Sequence, residues 1–548
     1  MKTPILGQAY VARSINAADN RLVNLFPEAI PDGGKEAGFL NRAPGLQFLQ
    51  TVGTGPIRGL WAHQTNGSDF YVVSGVEVFK LTSTSATPVK IGTVSGTGPV
   101  SIADNGAVIF FACNGPSYTY YEPTGEFNQI TDENFPGAVT VAYIDNLFVF
   151  NEPNSQRIWS VDSIDPASAT YIYPLVFNSL DFSSADGSPD GVVALAVDHR
   201  EMWVFGTDSV EVWYDAGLAN FPLTRIQGAF NEIGCVAAFS IAKLDNALFW
   251  LGTDARGQGI VYRNNGYSGV RVSTHAIEYA IAQYGNLADA VAYTYQQEGH
   301  AFYVLTFPSA GKTWVYDVSV QAWHERAGFE NGLFTRHRSN CQCNFGGTII
   351  VGDFENGNIY AFDLDVYADN GQVQRWLRSW RALPTGQNNL KRTAHHSLQL
   401  DAETGVGLNG IDPSTQMKNL LAEGYPFLAT ELNEDITSES NIDLLATTTV
   451  GLTDDLLTES GEDILVSVIT TQGANPQVML RWSDDGGHTW SNEHWRSMGA
   501  IGQYGYRTIW RRLGMTDKLR DRVYEVSGTD PVKIAIMGAE LFITPTNA

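Results

Sequence analysis

The composition of the chain indicates an acidic protein rich in β-structure. It has 548 residues and a net charge of −25, from 34 basic and 59 acidic side chains. A surface of this sign repels phosphate, which excludes a protein that wraps nucleic acid through its general surface. It still suits a channel through which DNA slides without sticking. Many glycines (54) and many aromatic residues (27 Phe, 23 Tyr and 13 Trp) are typical of chains with numerous turns and strands.

The cysteines and the N-terminal segment limit the possible metal sites, disulfides and cellular location. The four cysteines, Cys113, Cys235, Cys341 and Cys343, are too few for a disulfide framework at this length. Because Cys341-x-Cys343 has no second pair, we expect no zinc site, but reduced thiols and assembly in a cytosol. The start, MKTPILGQAYVARS, lacks the apolar core of a signal peptide, and no segment approaches the ~20 apolar residues of a membrane-spanning helix. We therefore expect a soluble chain.

A loose repeat runs from about residue 50 to residue 365. Each unit has an apolar strand, a turn rich in Gly, Asn or Asp, and a second strand with an aromatic residue near its end. The seven units are residues 69–81, 107–122, 146–162, 201–216, 247–263, 301–317 and 348–363, at spacings of 38 to 55 residues. This recurrence predicts a β-propeller of about seven blades, to which a blade built from both ends of the chain could add one. A series of ordinary β-meanders is the alternative.

Helix signals are sparse, and the strongest is HAIEYAIAQYG at residues 275–285. We expect a short helix between strands there. Farther along, residues 371–400 contain several basic residues and no acidic residue, and tryptophans alternate with the arginines. This pattern indicates either an exposed strand with a solvated face or a positive interface patch facing a partner or a neighbouring subunit. The residues concerned are Arg375, Trp376, Arg378, Trp380, Arg381, Lys391 and Arg392.

The stretch from 419 to 480 has no Lys or Arg, and it contains two similar acidic segments. Residues 432–445 and 452–465 share six identical positions of 14. Calcium binding is one interpretation of so many carboxylates, but the ligand and glycine spacing of a calcium loop is missing. An acidic, β-rich tip that projects from the body fits better. Its matched carboxylates are Glu434, Asp435, Glu439, Asp443, Asp454, Asp455, Glu459 and Asp463.

Strand signals return from 476 to the end and, with residues 395–407, predict a β-sandwich that the acidic insertion splits. On one hairpin of this sandwich the sequence RWSDDGGHTWS, residues 481–491, fits the Asp-box pattern S-x-D-x-G-x-T-W. Each residue of the pattern can stabilise a turn through side-chain hydrogen bonds, positive φ or apolar packing, and none moves a proton. The residues are Ser483, Asp485, Gly487, Thr489 and Trp490.

The sequence offers no catalytic constellation. No nucleophile, base and orienting group stand at recognisable spacing. His395 and His396 form the one histidine pair, for which an exposed strand end is favoured over a metal site. We therefore predict no catalytic, cofactor or metal residues.

Together these features predict an all-β protein in four parts. An N-terminal extended arm (1–50) precedes the propeller (51–366). A β-sandwich platform (367–407 with 476–548) follows and carries the acidic tip insertion (408–475).

Two segments at opposite ends resemble a known family. Residues 7–28 (GQAYVARSINAADNRLVNLFPE) with 42–47 (RAPGLQ) resemble the opening of tail hub, or nozzle, proteins of short-tailed bacteriophages, also called packaged-DNA stabilisation proteins. Residues 480–514 and 520–541 resemble the closing block of that family. The resemblance implies a homohexameric ring below the portal and its adaptor, assembled in the host cytoplasm into the virion tail. Such a ring would close the DNA channel, retain the genome without sequence-specific contacts, and carry tail fibres or tailspikes.

Two rival functions stay open at this point. A sialidase-like glycan hydrolase would need clustered arginines, a carboxylate and a tyrosine in one pocket, with Asp boxes in several blades. A carbohydrate-binding propeller would need exposed aromatic residues in a groove at the blade tops. The single Asp box, outside the propeller repeats, favours a structural role.

Overall fold

The structure is a computed structural model, and it describes all residues except 32–33, 35, 64–68, 166, 255–256, 385–391, 408–472, 518–521 and 546–548. The N-terminal segment forms six short strands that belong to four different sheets. Buried Leu22, Val23 and Leu25 hold this segment against the rest of the chain. The strands are β1 (Tyr10–Val11), β2 (Asp19–Asn20), β3 (Leu22–Val23), β4 (Leu25–Ala29), β5 (Gly38–Arg42) and β6 (Gly45–Thr51).

Four antiparallel sheets of four strands each follow in chain order. The first contains β7 (Ile57–Ala62), β8 (Phe70–Ser74), β9 (Glu77–Leu81) and β10 (Val89–Thr93), and the second β11 (Ser101–Asp104), β12 (Val108–Ala112), β13 (Ser117–Tyr121) and β14 (Glu126–Gln129). The third contains β15 (Val141–Ile144), β16 (Leu147–Asn151), β17 (Arg157–Asp162) and β18 (Phe182–Ser184). The fourth contains β19 (Val192–Asp198), β20 (Glu201–Gly206), β21 (Val210–Asp215) and β22 (Leu223–Asn231).

Three further sheets complete a seven-bladed propeller. The fifth contains β23 (Gly234–Cys235), a 3-10 turn (Ala238–Ser240), β24 (Ala242–Leu244), β25 (Ala247–Asp254), β26 (Gly257–Asn265) and β27 (Ser268–Arg271), and is followed by α1 (His275–Ile281). The sixth contains β28 (Val291–Gln297), β29 (His300–Phe307), β30 (Lys312–Asp317) and β31 (Ala322–Glu330), which also pairs with β32 (Leu333–Arg336). The seventh contains β33 (Ser339–Phe345), β34 (Thr348–Asp353), β35 (Asn358–Asp363) and the N-terminal β6.

The sequence pattern explains the blades. The second strand of a blade is buried along its whole length in β8, β12, β16 and β29, because neighbouring blades cover both of its faces. The turns Asp145-Asn146 and Asp245-Asn246 have positive φ at both positions, the geometry that matches the twist of a two-residue hairpin. The fold class predicted from the sequence, an all-β protein with a propeller and a sandwich, is confirmed.

The ring closes through a blade that combines both ends of the propeller segment. Strand β6 pairs antiparallel with β35, so that Leu46 lies opposite Phe362. A buried apolar cluster then joins the seventh blade to the first, with Ile350 and Ile359 on one side and Ile57 on the other. The blade built from both ends is therefore the seventh and adds no eighth.

The sandwich packs two sheets over one apolar core. One sheet runs β38-β43-β40-β41 and continues through β3 into the sixth blade, so that ten strands form a single sheet. The other runs β4-β5-β44-β39-β42. The strands not yet given are β38 (Trp376–Arg381), β39 (Thr393–Ala402), β40 (Gln477–Ser483), β41 (His494–Ser497), β42 (Ile509–Arg511), β43 (Val523–Gly528) and β44 (Ala535–Pro545). Two short strands between propeller and sandwich, β36 (Ala368–Asp369) and β37 (Gln372–Val373), extend the sheet of the seventh blade beside β6. Trp380, Leu398 and Leu541 lie between the two sheets.

The predicted short helix is present as α1. Thr274 caps its first turn by accepting a hydrogen bond from the backbone N–H of Ile277, while Ala276, Ile277 and Ile281 are buried. Within the described part of the chain, no helix combines the length and apolarity needed to cross a membrane.

Candidate functional site

The Asp box forms the turn between β40 and β41, and each of its polar groups is used within that turn. Asp485 accepts hydrogen bonds from the Ser483 hydroxyl (2.6 Å), the Thr489 hydroxyl (2.6 Å) and the backbone N–H groups of His488 (3.0 Å) and Thr489 (2.8 Å). Ser483 in turn accepts from the backbone N–H of Gly487 (2.8 Å). The carboxylate therefore organises the turn and is not free for chemistry.

The charge state of Asp485 follows from these bonds. Desolvation favours its neutral form, but the hydrogen bonds from Ser483 and Thr489 outweigh it and hold the pKa of Asp485 well below its ordinary value. Trp490 is half-buried, donates from its ring nitrogen to the Gly487 carbonyl (3.1 Å), and lies 4.8 Å from the Arg481 guanidinium. The box is thus an ionised, internally bonded turn.

The Asp-box turn also packs against the N-terminal segment. Gly486 and Gly487 have positive φ (77° and 107°), and a Cβ on them would lie 2.0 Å from Asn16 Oδ1 and 2.5 Å from Asp19 Oδ2. The positive φ favours glycine at both positions, and a larger residue would also displace the ends of the Asn16 and Asp19 side chains. The Asp-box turn therefore packs directly on Asn16 and Asp19 of the N-terminal segment.

The basic strand β38 makes further contacts with the N-terminal segment. The Arg378 guanidinium, 1% exposed, donates to the carbonyls of Ile5 (2.6 Å), Gln8 (3.4 Å) and Arg21 (3.3 Å). Arg381 donates to the carbonyls of Ile15 (3.2 Å) and Asn16. Burial lowers the pKa of Arg378 to about 9, because the loss of water disfavours the charged guanidinium. These arginines bind the carbonyl groups of the chain's own N-terminal segment.

The structure corrects the interpretation of residues 371–400 as an exposed strand. Trp376, Arg378 and Trp380 are 1% or less exposed, so neither solvent nor a partner reaches them. Arg375 pairs with Glu493 (3.1 Å). Arg392 donates to the Thr516 carbonyl (3.1 Å), and Lys391 lies outside the described residues. Because side chains alternate along a strand, Trp376, Arg378 and Trp380 share one face of β38. On that face the tryptophans lie in the apolar core and Arg378 bonds carbonyls of the N-terminal segment, whereas Arg381 points to the other face.

Two residues in the opening segment were not identified from sequence as structural anchors. The buried Asn24 side chain bonds Ala327 of the sixth blade through both its oxygen (3.0 Å) and its nitrogen (2.8 Å), and also donates to the Arg375 carbonyl (2.8 Å). Arg42, 1% exposed, lies at the junction between propeller and sandwich. It donates to the carbonyls of Val532 in the sandwich (2.8 Å) and of Tyr367, just after the seventh blade (3.0 Å). Their presence in the two family-like stretches, 7–28 and 42–47, was the available signal.

Arg522 is a third anchor that sequence reasoning missed. It pairs with both oxygens of Asp484, a variable position of the Asp box, at 2.7 Å each. It also donates to the Leu513 carbonyl (2.7 Å). The Asp box is therefore tied to the sandwich core on one side and to the N-terminal segment on the other.

The two histidines of the pair lie on opposite faces of β39. His395 is buried, with ring nitrogens bonded to Tyr524 (2.7 Å) and Thr393 (3.0 Å), and burial lowers its pKa to about 3. His396 is exposed and bonds Thr544 (2.8 Å). In the described ranges, no cluster of three or more His, Cys, Asp or Glu is placed to hold a metal.

A cavity of about 670 Å³ lies beside the fourth and fifth blades and the end of α1. It is lined by apolar, hydroxyl and amide side chains, and its lining includes no Asp, Glu, Lys, Arg or His. Its thiol, Cys235, is buried, and burial raises the pKa of Cys235 to about 12. The cavity lacks the arginines and carboxylate that a sialidase-like pocket requires.

The acidic-tip residues, Glu434 to Asp463, lie outside the described residues. The four cysteines are free thiols.

Comparison with known families identifies the family of this chain. Residues 1–367 match the family model described as "Bacteriophage P22 Gp10, beta-propeller", and residues 452–544 match the one described as "Bacteriophage P22 Gp10, beta-sandwich". The chain belongs to this family. As a Gp10-family protein it is a structural component of a short phage tail, linked to stabilisation of packaged DNA and assembled in the host cell. The sandwich match begins at 452, within the segment predicted as an acidic insertion.

Other comparisons add only general similarity. The computationally designed Ika8 protein has 13% identity and a TM-score of 0.35, covering 63% of this chain and 99% of that one. The N-terminal domain of Nup159 has 10% identity and a TM-score of 0.35, with 63% and 100% covered. The Neurospora crassa Pan2 WD40 domain has 9% identity and a TM-score of 0.37, with 56% and 89% covered. No curated protein matches the Gp10-family chain in sequence.

Proposed function

We propose that six copies of this Gp10-family chain form a ring, the nozzle of a short tail. This ring lies below the portal and its adaptor, closes the DNA channel, retains the packaged genome, and helps to anchor tail fibres or tailspikes. The observation that carries the proposal is the joint match of propeller and sandwich to one packaged-DNA stabilisation family.

The charge of the chain supports this role. Six copies at −25 each would carry roughly −150 in total. A channel wall with part of this charge repels the phosphates of duplex DNA, so DNA passes without sticking. Retention then depends on a physical constriction and not on adhesion.

The junction supports a role under mechanical load. One ten-stranded sheet joins the sixth blade to the sandwich, and the N-terminal segment contributes strands to both. Buried Arg42, Asn24 and Arg378 bond backbone carbonyls across this junction. A part that holds pressurised DNA benefits from such cross-connections, because separating the two domains would break several buried hydrogen bonds at once.

We further propose that the protein acts without catalysis. The Asp-box carboxylate is occupied by its own turn, and the cavity beside α1 has no acid–base pair in its lining. These observations favour the nozzle over a glycan hydrolase. They give no support to a carbohydrate-binding propeller.

The test is the fate of DNA in particles made without this protein. We expect such particles to package DNA and then lose it, leaving empty heads and few infectious virions. Purified protein added to freshly filled, tail-less heads should restore retention, and an equal amount of heat-unfolded protein should not. If particles lacking the protein keep their DNA and fail only at host attachment, the protein is a fibre base or adhesin and the nozzle proposal is wrong.

A further inference from the structure

One edge of the sandwich is basic and aromatic although the protein is acidic. Residues 494–516 contain four arginines and no Asp or Glu. All four arginines are exposed: Arg496, Arg507, Arg511 and Arg512. Trp495 is 51% exposed, Tyr504 78% and Tyr506 41%. We call this surface the basic edge.

The basic edge is one continuous surface that spans both sheets. Strand β41 is the last described strand of one sheet and β42 of the other. They are tied together by hydrogen bonds from Arg496 Nε to the Ile509 carbonyl (3.3 Å) and from the Trp510 ring nitrogen to the His494 carbonyl (2.7 Å). The connecting segment carries Tyr504 and Tyr506, so the edge is a built surface and not a loose loop.

The guanidinium groups of the basic edge have no carboxylate partner within the described part of the chain. Arg496 bonds backbone carbonyls, and Arg507 bonds the amide oxygen of Gln399 (3.2 Å). By contrast, Arg375 and Arg522 are each paired with a carboxylate. Arg512 also holds φ at 61°, a conformation that favours glycine or asparagine. The four arginines of the basic edge therefore present positive charge outward, unlike Arg375 and Arg522, whose charge is paired.

We propose that the basic edge is the surface through which one copy of this chain contacts the acidic surface of the next copy. This inference rests on the proposed ring. A ring forms when a patch on one subunit meets a different patch on its neighbour. Because each chain carries −25, a second copy offers carboxylates, which planar guanidinium groups bind in a two-pronged manner. Exposed Trp, Tyr and Arg are also the residues most enriched at protein interfaces.

The test measures the oligomeric state of the full-length protein by native mass spectrometry and mass photometry across a dilution series. One variant neutralises the edge: Arg496→Gln, Arg507→Gln, Arg511→Gln and Arg512→Gln. A second, Tyr504→Ala, removes a side chain that is 78% exposed, so it tests the edge without disturbing the core. A control changes the net charge equally at exposed, ion-paired sites elsewhere: Lys2→Gln, Lys90→Gln, Arg200→Gln and Lys533→Gln.

We expect the parent and the control to form the same ring. The dissociation midpoint should rise at least about tenfold in both edge variants, and added salt should weaken the parent ring. If both edge variants assemble like the parent, the basic edge is not the subunit contact, while the proposed ring stands. If the parent stays monomeric throughout, the ring proposal is wrong and this inference falls with it.

Discussion

Replacing the Asp-box carboxylate tests whether this turn holds the N-terminal segment in place. Asp485→Ala removes the acceptor of four hydrogen bonds, two from hydroxyls and two from backbone N–H groups. The turn carries Gly486 and Gly487, which lie directly against Asn16 and Asp19. We expect the turn to loosen and the segment around Arg13 to open more often.

The size of the effect can be worked from these contacts. A hydrogen bond to a charged acceptor contributes about 1.5–3 kcal/mol. Asp485 is only half-buried, so water replaces much of what is lost. The expected cost is therefore about 2 kcal/mol, well below the sum of four bonds, and corresponds to a roughly 30-fold increase in the open population.

The assay is tryptic cleavage after Arg13, an exposed residue three positions before Asn16 in the N-terminal segment. When opening and closing are fast relative to cleavage, the cleavage rate follows the open population. Mass spectrometry of the released N-terminal peptide measures the cleavage rate. Asp485→Asn keeps one acceptor oxygen and should fall between parent and Asp485→Ala.

Asp165→Ala is the matched control. Asp165 also accepts hydrogen bonds from its own turn, but it lies in the third blade and not beside the Asp box. It should leave cleavage after Arg13 unchanged. If trypsin cleaves the Asp485→Ala variant at the parent rate, the Asp box does not hold the N-terminal segment, and its assignment as a structural turn is wrong.

Two further predictions concern other buried groups. Arg378→Met should speed cleavage after Arg13 more than Asp485→Ala does. It removes the donor to the carbonyls of Ile5 and Gln8, at about 1–3 kcal/mol each, while the Arg21 carbonyl keeps the backbone N–H of Ser379. Arg375→Met, whose guanidinium lies partly at the surface, should change cleavage little, and equal effects of the two variants would contradict the anchoring role of Arg378. Burial lowers the pKa of His337 and of His395 to about 3, so the folded state keeps them neutral while the unfolded state takes up protons below about pH 6.5. The free energy of unfolding should therefore fall by about 1.4 kcal/mol per pH unit for each histidine between about pH 6.5 and pH 3. Urea denaturation at pH 6 and pH 4 should show a shallower loss for His395→Gln, and an unchanged loss would refute this.

The sequence determined the local elements of the protein. Strand–turn–strand units such as residues 146–162 could be identified because apolar runs and turn residues act within a few positions. The Asp-Asn turns and the capped helix at Thr274 are local in the same sense. The family-like segments at both ends indicated the tail protein, which the family matches confirm.

Tertiary structure alone decided which distant segments meet. The pairing of Leu46 with Phe362 closes the propeller. Neither segment carries a local pattern that specifies the other as its partner strand. The basic strand shows the same limit. Its charge indicated a surface, yet Arg378 found its partners in the carbonyls of Ile5, Gln8 and Arg21. Every residue carries a carbonyl, so sequence cannot mark which ones will satisfy a buried guanidinium. Only the folded chain brings those carbonyls to one point, and it leaves a different set of arginines on the surface.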